Sequence, residues 1–205
     1  MKKQYAFYVD TRHCSGCKTC QAACIDKNNL NRGVLWRRVY EINEGDWIQK
    51  GNAWIHKISA YNVSISCNHC DDPLCVKNCP TTAMHKDKNG IVSVDENKCI
   101  GCRYCEWSCP YGAPKYDESK GVMSKCNLCA DFLEEGKSPA CVAACPMRVL
   151  DFGELNELQK KYGIVNEIYP LPVSGITNPS IVITPHKDAM ESKSRNAIIN
   201  NREEV

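Results

Sequence analysis

Sixteen cysteines fall in four groups of four: Cys14, Cys17, Cys20 and Cys24; Cys67, Cys70, Cys75 and Cys79; Cys99, Cys102, Cys105 and Cys109; Cys126, Cys129, Cys141 and Cys145. One [4Fe–4S] cube takes four thiolates, so the count serves four cubes with none left over. Proline follows the last cysteine in three groups, as Pro80, Pro110 and Pro146, whereas Ile25 stands there in the first.

The spacing selects the metal. Groups one and three read C-x2-C-x2-C-x3-C, the run of bacterial ferredoxins, whose fourth cysteine ligates the other cluster of a pair. Group two stretches one gap to x4 and group four stretches it to x11, and such longer loops still deliver a thiolate. The disulfide alternative usually comes with a signal peptide and a small domain. Zinc favours separated C-x2-C pairs, and a third cysteine two residues on crowds a tetrahedral site. The sequence is therefore read as iron–sulfur.

The elements that must position these thiolates decide how the groups pair. Residues 67–109 read as one inner two-cluster ferredoxin, with a type I′ hairpin expected at Asn89-Gly90. Tyr5 to Val9 precedes Cys14 much as Ile91 to Val94 precedes Cys99, and Val149 to Phe152 follows Cys145. Those outer strands pair only if the chain closes around the inner ferredoxin. The 42 residues between Cys24 and Cys67 are long for a simple hairpin connection, which disfavours pairing group one with two. The expected ligand sets cross the sequence: Cys14, Cys17, Cys20 and Cys145; Cys67, Cys70, Cys75 and Cys109; Cys99, Cys102, Cys105 and Cys79; Cys126, Cys129, Cys141 and Cys24.

The expected fold class is α+β: two interlocked bacterial-ferredoxin-like modules with short β-hairpins, an inserted β element and an extended C-terminal tail. Residues 1–33 with 110–153 form the outer module, 34–66 the β-rich insertion, 67–109 the inner module, and 154–205 a helix and docking tail. Strands in the insertion are expected to join around Gly45 and Gly51, with Trp36, Trp47 and Trp54 as a small aromatic core packed over the clusters. A second short hairpin is expected over Lys115 to Lys125. Leu155, Leu158 and Tyr162 sit at helical spacing on Glu154 to Tyr162, and Gly163 is a stop. Pro170, Pro172 and Pro179 impose an extended course before the apolar strand Ile181-Val182-Ile183, and the chain from Lys187 reads as polar and mobile.

Composition narrows the function. Aromatic residues make up only 8% of the 205, so the core is modest, and bound clusters are expected to cross-link the fold. The formal charge of +2 counts the thiols as neutral, and ligation of four oxidised cubes by sixteen thiolates makes the chain net negative. No nucleic-acid footprint follows from its Lys and Arg. No run approaches the ~18 to 20 apolar residues of a membrane span, and Gln4 to Asp10 is too short and polar for a signal h-region. The chain is expected to be soluble or peripheral, without an export signal of its own. His13, His56, His69, His85 and His186 are scattered; His69 and His85, in and beside the second loop, could tune a potential or sit near a proton-coupled partner, although ordinary hydrogen-bonded or exposed histidines are the plainer reading. Arg103, Tyr104 and Arg148 flank cluster loops, where a cation raises a potential, although surface salt-bridging is their plainer reading. No catalytic constellation emerges, so the expected role is electron transfer.

Cys14-Ser15-Gly16-Cys17-Lys18-Thr19-Cys20, Ser66-Cys67-Asn68-His69-Cys70, Cys99-Ile100-Gly101-Cys102-Arg103-Tyr104-Cys105 and Cys109-Pro110-Tyr111-Gly112-Ala113-Pro114 resemble the iron–sulfur subunit of the anaerobic dimethyl sulfoxide reductase family. The likeness includes Phe152-Gly153 and Pro179 to Ile183, and the final ~20 residues carry little of it. The resemblance implies a heterotrimer with a molybdopterin-containing catalytic subunit that reduces S- and N-oxides and a polytopic membrane anchor subunit that oxidises menaquinol. It implies a non-catalytic relay carrying four [4Fe–4S] clusters. Related nitrate reductase subunits carry tryptophan at the place of Cys102 and hold a [3Fe–4S] cluster, so Cys102 implies a full set of cubes. Peripheral attachment to the inner membrane through a partner is implied, with co-export beside a twin-arginine-signalled catalytic subunit, or retention on the cytoplasmic face. Subunits of selenate, polysulfide, tetrathionate or formate molybdoenzymes share this role. A free polyferredoxin carrier, or an adaptor whose clusters only staple it, is a different class.

Overall fold

A computed structural model describes residues 3–191 and 198–205. In chain order its first elements are β1 (Tyr5–Asp10), α1 (Thr19–Asn28), β2 (Arg38–Lys50), β3 (Ala53–Ile65), α2 (Leu74–Lys77), β4 (Met84–Lys86) and β5 (Val92–Val94). There follow α3 (Tyr104–Trp107), β6 (Lys115–Asp117), β7 (Val122–Ser124), α4 (Ala130–Glu134), α5 (Ala140–Ala143) and β8 (Leu150–Glu154). The chain ends with α6 (Leu155–Tyr162), β9 (Ile181–Thr184), α7 (Lys187–Glu191) and β10 (Ile198–Ile199). The fold is a mixture of short helices and strands.

β1 is apolar on both faces because it is a central strand. β8 pairs antiparallel with it, from Tyr5 opposite Glu154 to Val9 opposite Leu150, and β9 pairs parallel on its other edge. One face carries Ala6, Tyr8 and Val182 against Leu158 of α6, where the Tyr8 ring stacks on Tyr162 at 3.6 Å. The opposite face turns Phe7, Val9, Leu150 and Ile183 toward a core that includes Cys20, Cys126, Cys141 and Cys145. The first and last cysteine groups therefore share one sheet as a lid. α6 presents Leu155, Leu158 and Tyr162 to this sheet at the spacing read from sequence, and Gly163 ends it at φ 97°.

Arg38–Lys50 and Ala53–Ile65 form one long hairpin, paired from Arg38 opposite Ile65 to Lys50 opposite Ala53. Its base buries Val39, Ile42, Tyr61, Val63 and Ile65. The turn lies at Gly51 and Asn52 alone; Gly45 sits inside β2, not at a strand junction. Gly45 holds φ at 111°, and a Cβ there would lie 1.8 Å from the Lys57 carbonyl oxygen, so the close approach of the two strands requires glycine. The expected aromatic core is not formed. Trp47 and Trp54 stand 56% and 62% exposed near the hairpin tip, whereas Trp36 at the base donates to Ser124 Oγ at 3.1 Å. Alternation puts the two tryptophans on one face of the hairpin, but among the described residues nothing covers that face near the tip.

Two further expectations change. β4 and β5 do pair, but a type I′ turn needs φ above zero at both central residues, and only Gly90 has it. The Asp87 carboxylate instead accepts the amides of Asn89 and Ile91 at 2.9 and 2.7 Å and closes a longer loop. The terminus is also more ordered than its polarity suggests. β10 pairs with β2, and Asn201 accepts from the Glu41 amide at 3.0 Å while donating to the Val39 carbonyl at 2.9 Å. Within that expected mobile stretch, residues 192–197 lie outside the described residues. β6 and β7 form the hairpin expected between Lys115 and Lys125.

Candidate iron–sulfur centres

The four loops share a backbone device. In each first C-x2-C gap the residue before the second cysteine has positive φ: Gly16 at 72°, His69 at 43°, Gly101 at 66° and Leu128 at 62°. A left-handed residue there turns the chain so that amides face back toward the first sulfur. The His69 and Leu128 amides donate to Cys67 and Cys126 Sγ, each at 3.4 Å. Three more amides reach sulfur from beyond the loops: Met84 to Cys79 and Met123 to Cys99 at 3.3 Å, and Ala113 to Cys109 at 3.5 Å. At Gly101 the turn also needs space, because a Cβ would stand 2.4 Å from the Gly121 carbonyl oxygen in the β6–β7 turn.

The structure brings the groups together across the sequence. Cys14, Cys17, Cys20 and Cys145 line one enclosed space with Val39, Ser64 and Leu150. Cys79, Cys99, Cys102 and Cys105 line another with Met84, Val94 and Met123. Cys24 lies within electrostatic reach of Cys126, Cys141 and Cys129, and α1 packs on α5. Cys75 likewise faces Cys67, Cys109 and Cys70. The quartets are not isolated from one another. Cys141 neighbours Cys20, Cys126 neighbours Cys67, and Cys75 shares an apolar cluster with Cys105.

These cages fit iron–sulfur cubes. None of the sixteen thiols is paired in a disulfide. Among the described residues, no three metal-binding side chains converge on one point as they would around a single ion. Burial pushes the Cys14 thiol up to about 11 and those of Cys70 and Cys105 up to about 12, and it lifts Cys24 and Cys75 further. Thiolates packed this densely away from water need a positive core to offset them, and the N–H groups aimed at sulfur suit a ligand that keeps negative charge.

Ile25 also acquires a structural reason. Helices α2, α3 and α5 all stop before the last cysteine of their groups, and Pro80, Pro110 and Pro146 follow the stops. α1 instead runs through Cys24 and Ile25 to Asn28, with Cys20 and Cys24 one turn apart and both buried. The helix thus places Cys20 beside Cys14, Cys17 and Cys145, and Cys24 within electrostatic reach of Cys126, Cys129 and Cys141. Ile25→Pro is expected to cost ~3 kcal/mol by removing a helix amide and crowding the turn before it. Iron occupancy at the fourth group should fall, readable as lost visible absorbance per chain; unchanged iron content would contradict the role given to α1.

The flagged histidines and cations have ordinary partners. The His69 ring is buried, its Nδ1 accepts the Val92 amide at 3.0 Å, and burial holds it well below the ordinary histidine range, so it stays neutral and pins its loop to β5. His85 Nδ1 lies 3.1 Å from the Ala83 carbonyl oxygen, Arg103 pairs with Glu106 at 2.7 Å, and Arg148 donates to the Ala143 carbonyl at 3.0 Å. Sequence reasoning missed the buried cations. Arg37 is 1% and Lys125 2% exposed. Lys125 donates to the carbonyls of Val92 and Cys126 and lies within electrostatic reach of Cys75 and Cys126. Its place directly before Cys126 was the available signal; Arg37, beside Arg38 in a mixed stretch, offered none.

A family model described as a 4Fe-4S dicluster domain matches residues 58–155, which takes in cysteine groups two to four. The B component of the anaerobic dimethyl sulfoxide reductase of Escherichia coli (strain K12) is 49% identical over 205 residues, the whole length of both proteins. This protein belongs to the family of dimethyl sulfoxide reductase iron–sulfur subunits. Similarity reaches the thiosulfate reductase electron transfer subunit PhsB of Salmonella typhi, 41% identical over 77% of this chain and 79% of that one. It also reaches the B component of the sulfite dehydrogenase of Allochromatium vinosum, 34% identical over 78% and 73%. The alignment with the Escherichia coli protein extends over the final stretch as well. Docking onto β2 gives that stretch a structural constraint.

Proposed function

We propose that this chain relays electrons from a menaquinol-oxidising polytopic membrane subunit to a molybdopterin catalytic subunit that reduces dimethyl sulfoxide or related S- and N-oxides, the three forming a heterotrimer. The chain is an iron–sulfur electron-transfer subunit of a molybdoenzyme, carries four [4Fe–4S] clusters and is not the catalytic subunit. The observation that carries the reading is the succession of cysteine cages through one small body: first group, fourth, second, third. Cys141 lies within electrostatic reach of Cys20 and Cys126 of Cys67, and Cys75 shares an apolar cluster with Cys105.

The proposed ligand sets are Cys14, Cys17, Cys20 and Cys145; Cys126, Cys129, Cys141 and Cys24; Cys67, Cys70, Cys75 and Cys109; and Cys99, Cys102, Cys105 and Cys79. Two interlocked ferredoxin-like modules then share the chain: residues 1–33 with 110–153 outside, and 67–109 inside. The 34–66 hairpin and the 154–205 tail are added surfaces for partners. A bound [4Fe–4S] cluster supplies reversible one-electron chemistry. The residues' work is to hold the sulfurs, exclude water and aim amides at the cages. Ile100, Tyr104 and Trp107, 67%, 56% and 72% exposed around the third group, offer an apolar face where a partner would dock close to that cage.

Among the described residues no helix is long and apolar enough to cross a membrane, which fits attachment through a partner. Co-export beside a twin-arginine-signalled catalytic subunit is our preferred route, with the cytoplasmic face as the alternative. The thiosulfate and sulfite relatives favour a second reading, a sulfur-oxyanion partner in place of the oxide reductase. Purification of the native complex tests the assignment: a molybdenum subunit should co-elute. Reduced complex should show [4Fe–4S] signals and oxidised complex no native [3Fe–4S] signal, because Cys102 completes its cage. Cys102→Ser should drop quinol-driven reduction to background while an artificial donor still drives the catalytic subunit. A monomer without molybdenum, or quinol-driven activity intact in Cys102→Ser, would refute the relay.

A further inference from the structure

Arg37 is a buried guanidinium without a conventional counterion. It is 1% exposed, and among the described residues no carboxylate pairs with it. Its Nη1 donates to Ser64 Oγ and its Nη2 to Ser66 Oγ, both at 3.0 Å, and its Cζ stacks 4.5 Å from the centre of the Phe7 ring. These contacts leave the positive charge uncompensated while fixing its position. An uncompensated buried cation costs several kcal/mol unless negative charge lies nearby.

That negative charge is supplied by two cages at once. Ser64 lines the first-group space, and its Oγ lies 3.3 Å from Cys20 Sγ. A hydroxyl that accepts from Arg37 keeps its own proton to offer to that sulfur, so cation, hydroxyl and thiolate form a short relay. On the other side the guanidinium lies within electrostatic reach of Cys141 and Cys126 of the fourth group and of Cys24, the thiol proposed to complete their cage. Arg37 therefore stands at the joint between two successive cages.

We propose that Arg37 is a potential-setting residue, a fixed cation shared by the first and fourth cages that raises the reduction potentials of both their clusters, acting on the first partly through Ser64. Each reduction adds one electron's charge to a cage beside this cation, and burial leaves the attraction little screened by solvent. The cation thereby favours the reduced state on both sides of one transfer step and keeps the two potentials matched. The inference rests on the iron–sulfur assignment. Iron analysis of the unmodified protein tests that assignment separately.

The test is redox titration of the purified complex, followed by electron paramagnetic resonance. Signals are first assigned by their loss in Cys14→Ser for the first cage and Cys129→Ser for the fourth. In Arg37→Gln both assigned midpoints should move to more negative potential while those of the second and third cages stay in place. Arg37→Lys should restore most of the shift. Ser64→Ala should lower the first-cage midpoint alone. Unmoved midpoints in an Arg37→Gln complex with full iron content would overturn the proposal, as would an equal displacement of all four. Arg37→Met serves if Arg37→Gln does not load. Loss of the two clusters in both neutral variants would assign the residue to assembly and likewise overturn the tuning role.

Discussion

Replacing Cys24 by Ser is expected to empty or convert the cluster of the fourth cysteine group and to leave the first-group cluster in place, although Cys24 belongs to the first group by sequence. The reason lies in α1. Cys20 and Cys24 are one helical turn apart, and the turn separates two cages: Cys20 lines the space with Cys14, Cys17 and Cys145, while Cys24 faces Cys126, Cys129 and Cys141. Iron should fall from about sixteen to about twelve or fifteen per chain, for a lost or a converted cube. The changed resonance signal should coincide with the one altered by Cys129→Ser. Loss confined to the signal altered by Cys14→Ser would show that the ligands do not cross.

Stripping the iron is expected to unfold most of the chain. The principal apolar cluster is built around cysteines. Cys20, Cys67, Cys126, Cys141 and Cys145 sit among Phe7, Val9, Leu150 and Ile183, and the second cluster joins Cys75 and Cys105 to Met84, Val92 and Met123. Few large side chains remain to hold these layers once the cages are empty, with 8% aromatic residues in the chain. Emptied cages would leave voids lined by thiols, and metal-binding free energy on the order of 10 kcal/mol at a structural site is lost with the ion. Anaerobic chelation followed by circular dichroism should remove the near-ultraviolet signal and the cooperative thermal transition together. The base of the β2–β3 hairpin should lose protection with them, because Val39, Ile42, Tyr61 and Val63 pack into the same cluster. A chelated chain that keeps its native near-ultraviolet spectrum would show that the polypeptide stands without its clusters.

The candidate site was legible in sequence because cluster ligation is a rule about spacing. A C-x2-C gap holds whatever the neighbours are, so the cysteines could be sorted before any contact was known. The β1–β8 pairing and α6 were legible for a similar reason: their apolar periodicity is local. Three features were not. The exposed tip carrying Trp47 and Trp54 follows from what fails to cover it, and no pattern within 34–66 encodes a missing neighbour. The Asp87 side chain out-competed the Asn89-Gly90 signal by capturing two amides of its own loop. Arg37 carried no signal of burial in sequence, and only tertiary packing makes it an interior charge. Sequence spacing thus sorted the cysteines into groups, while the charges that act on them depend on tertiary packing.

The central claim is that each cage holds an iron–sulfide cube. Metal and acid-labile sulfide analysis of anaerobically purified protein tests it most directly. About sixteen irons and about sixteen sulfides per chain are expected, with no stoichiometric zinc. Zinc at about one ion per cysteine quartet, or far fewer than four irons in each, would contradict the account.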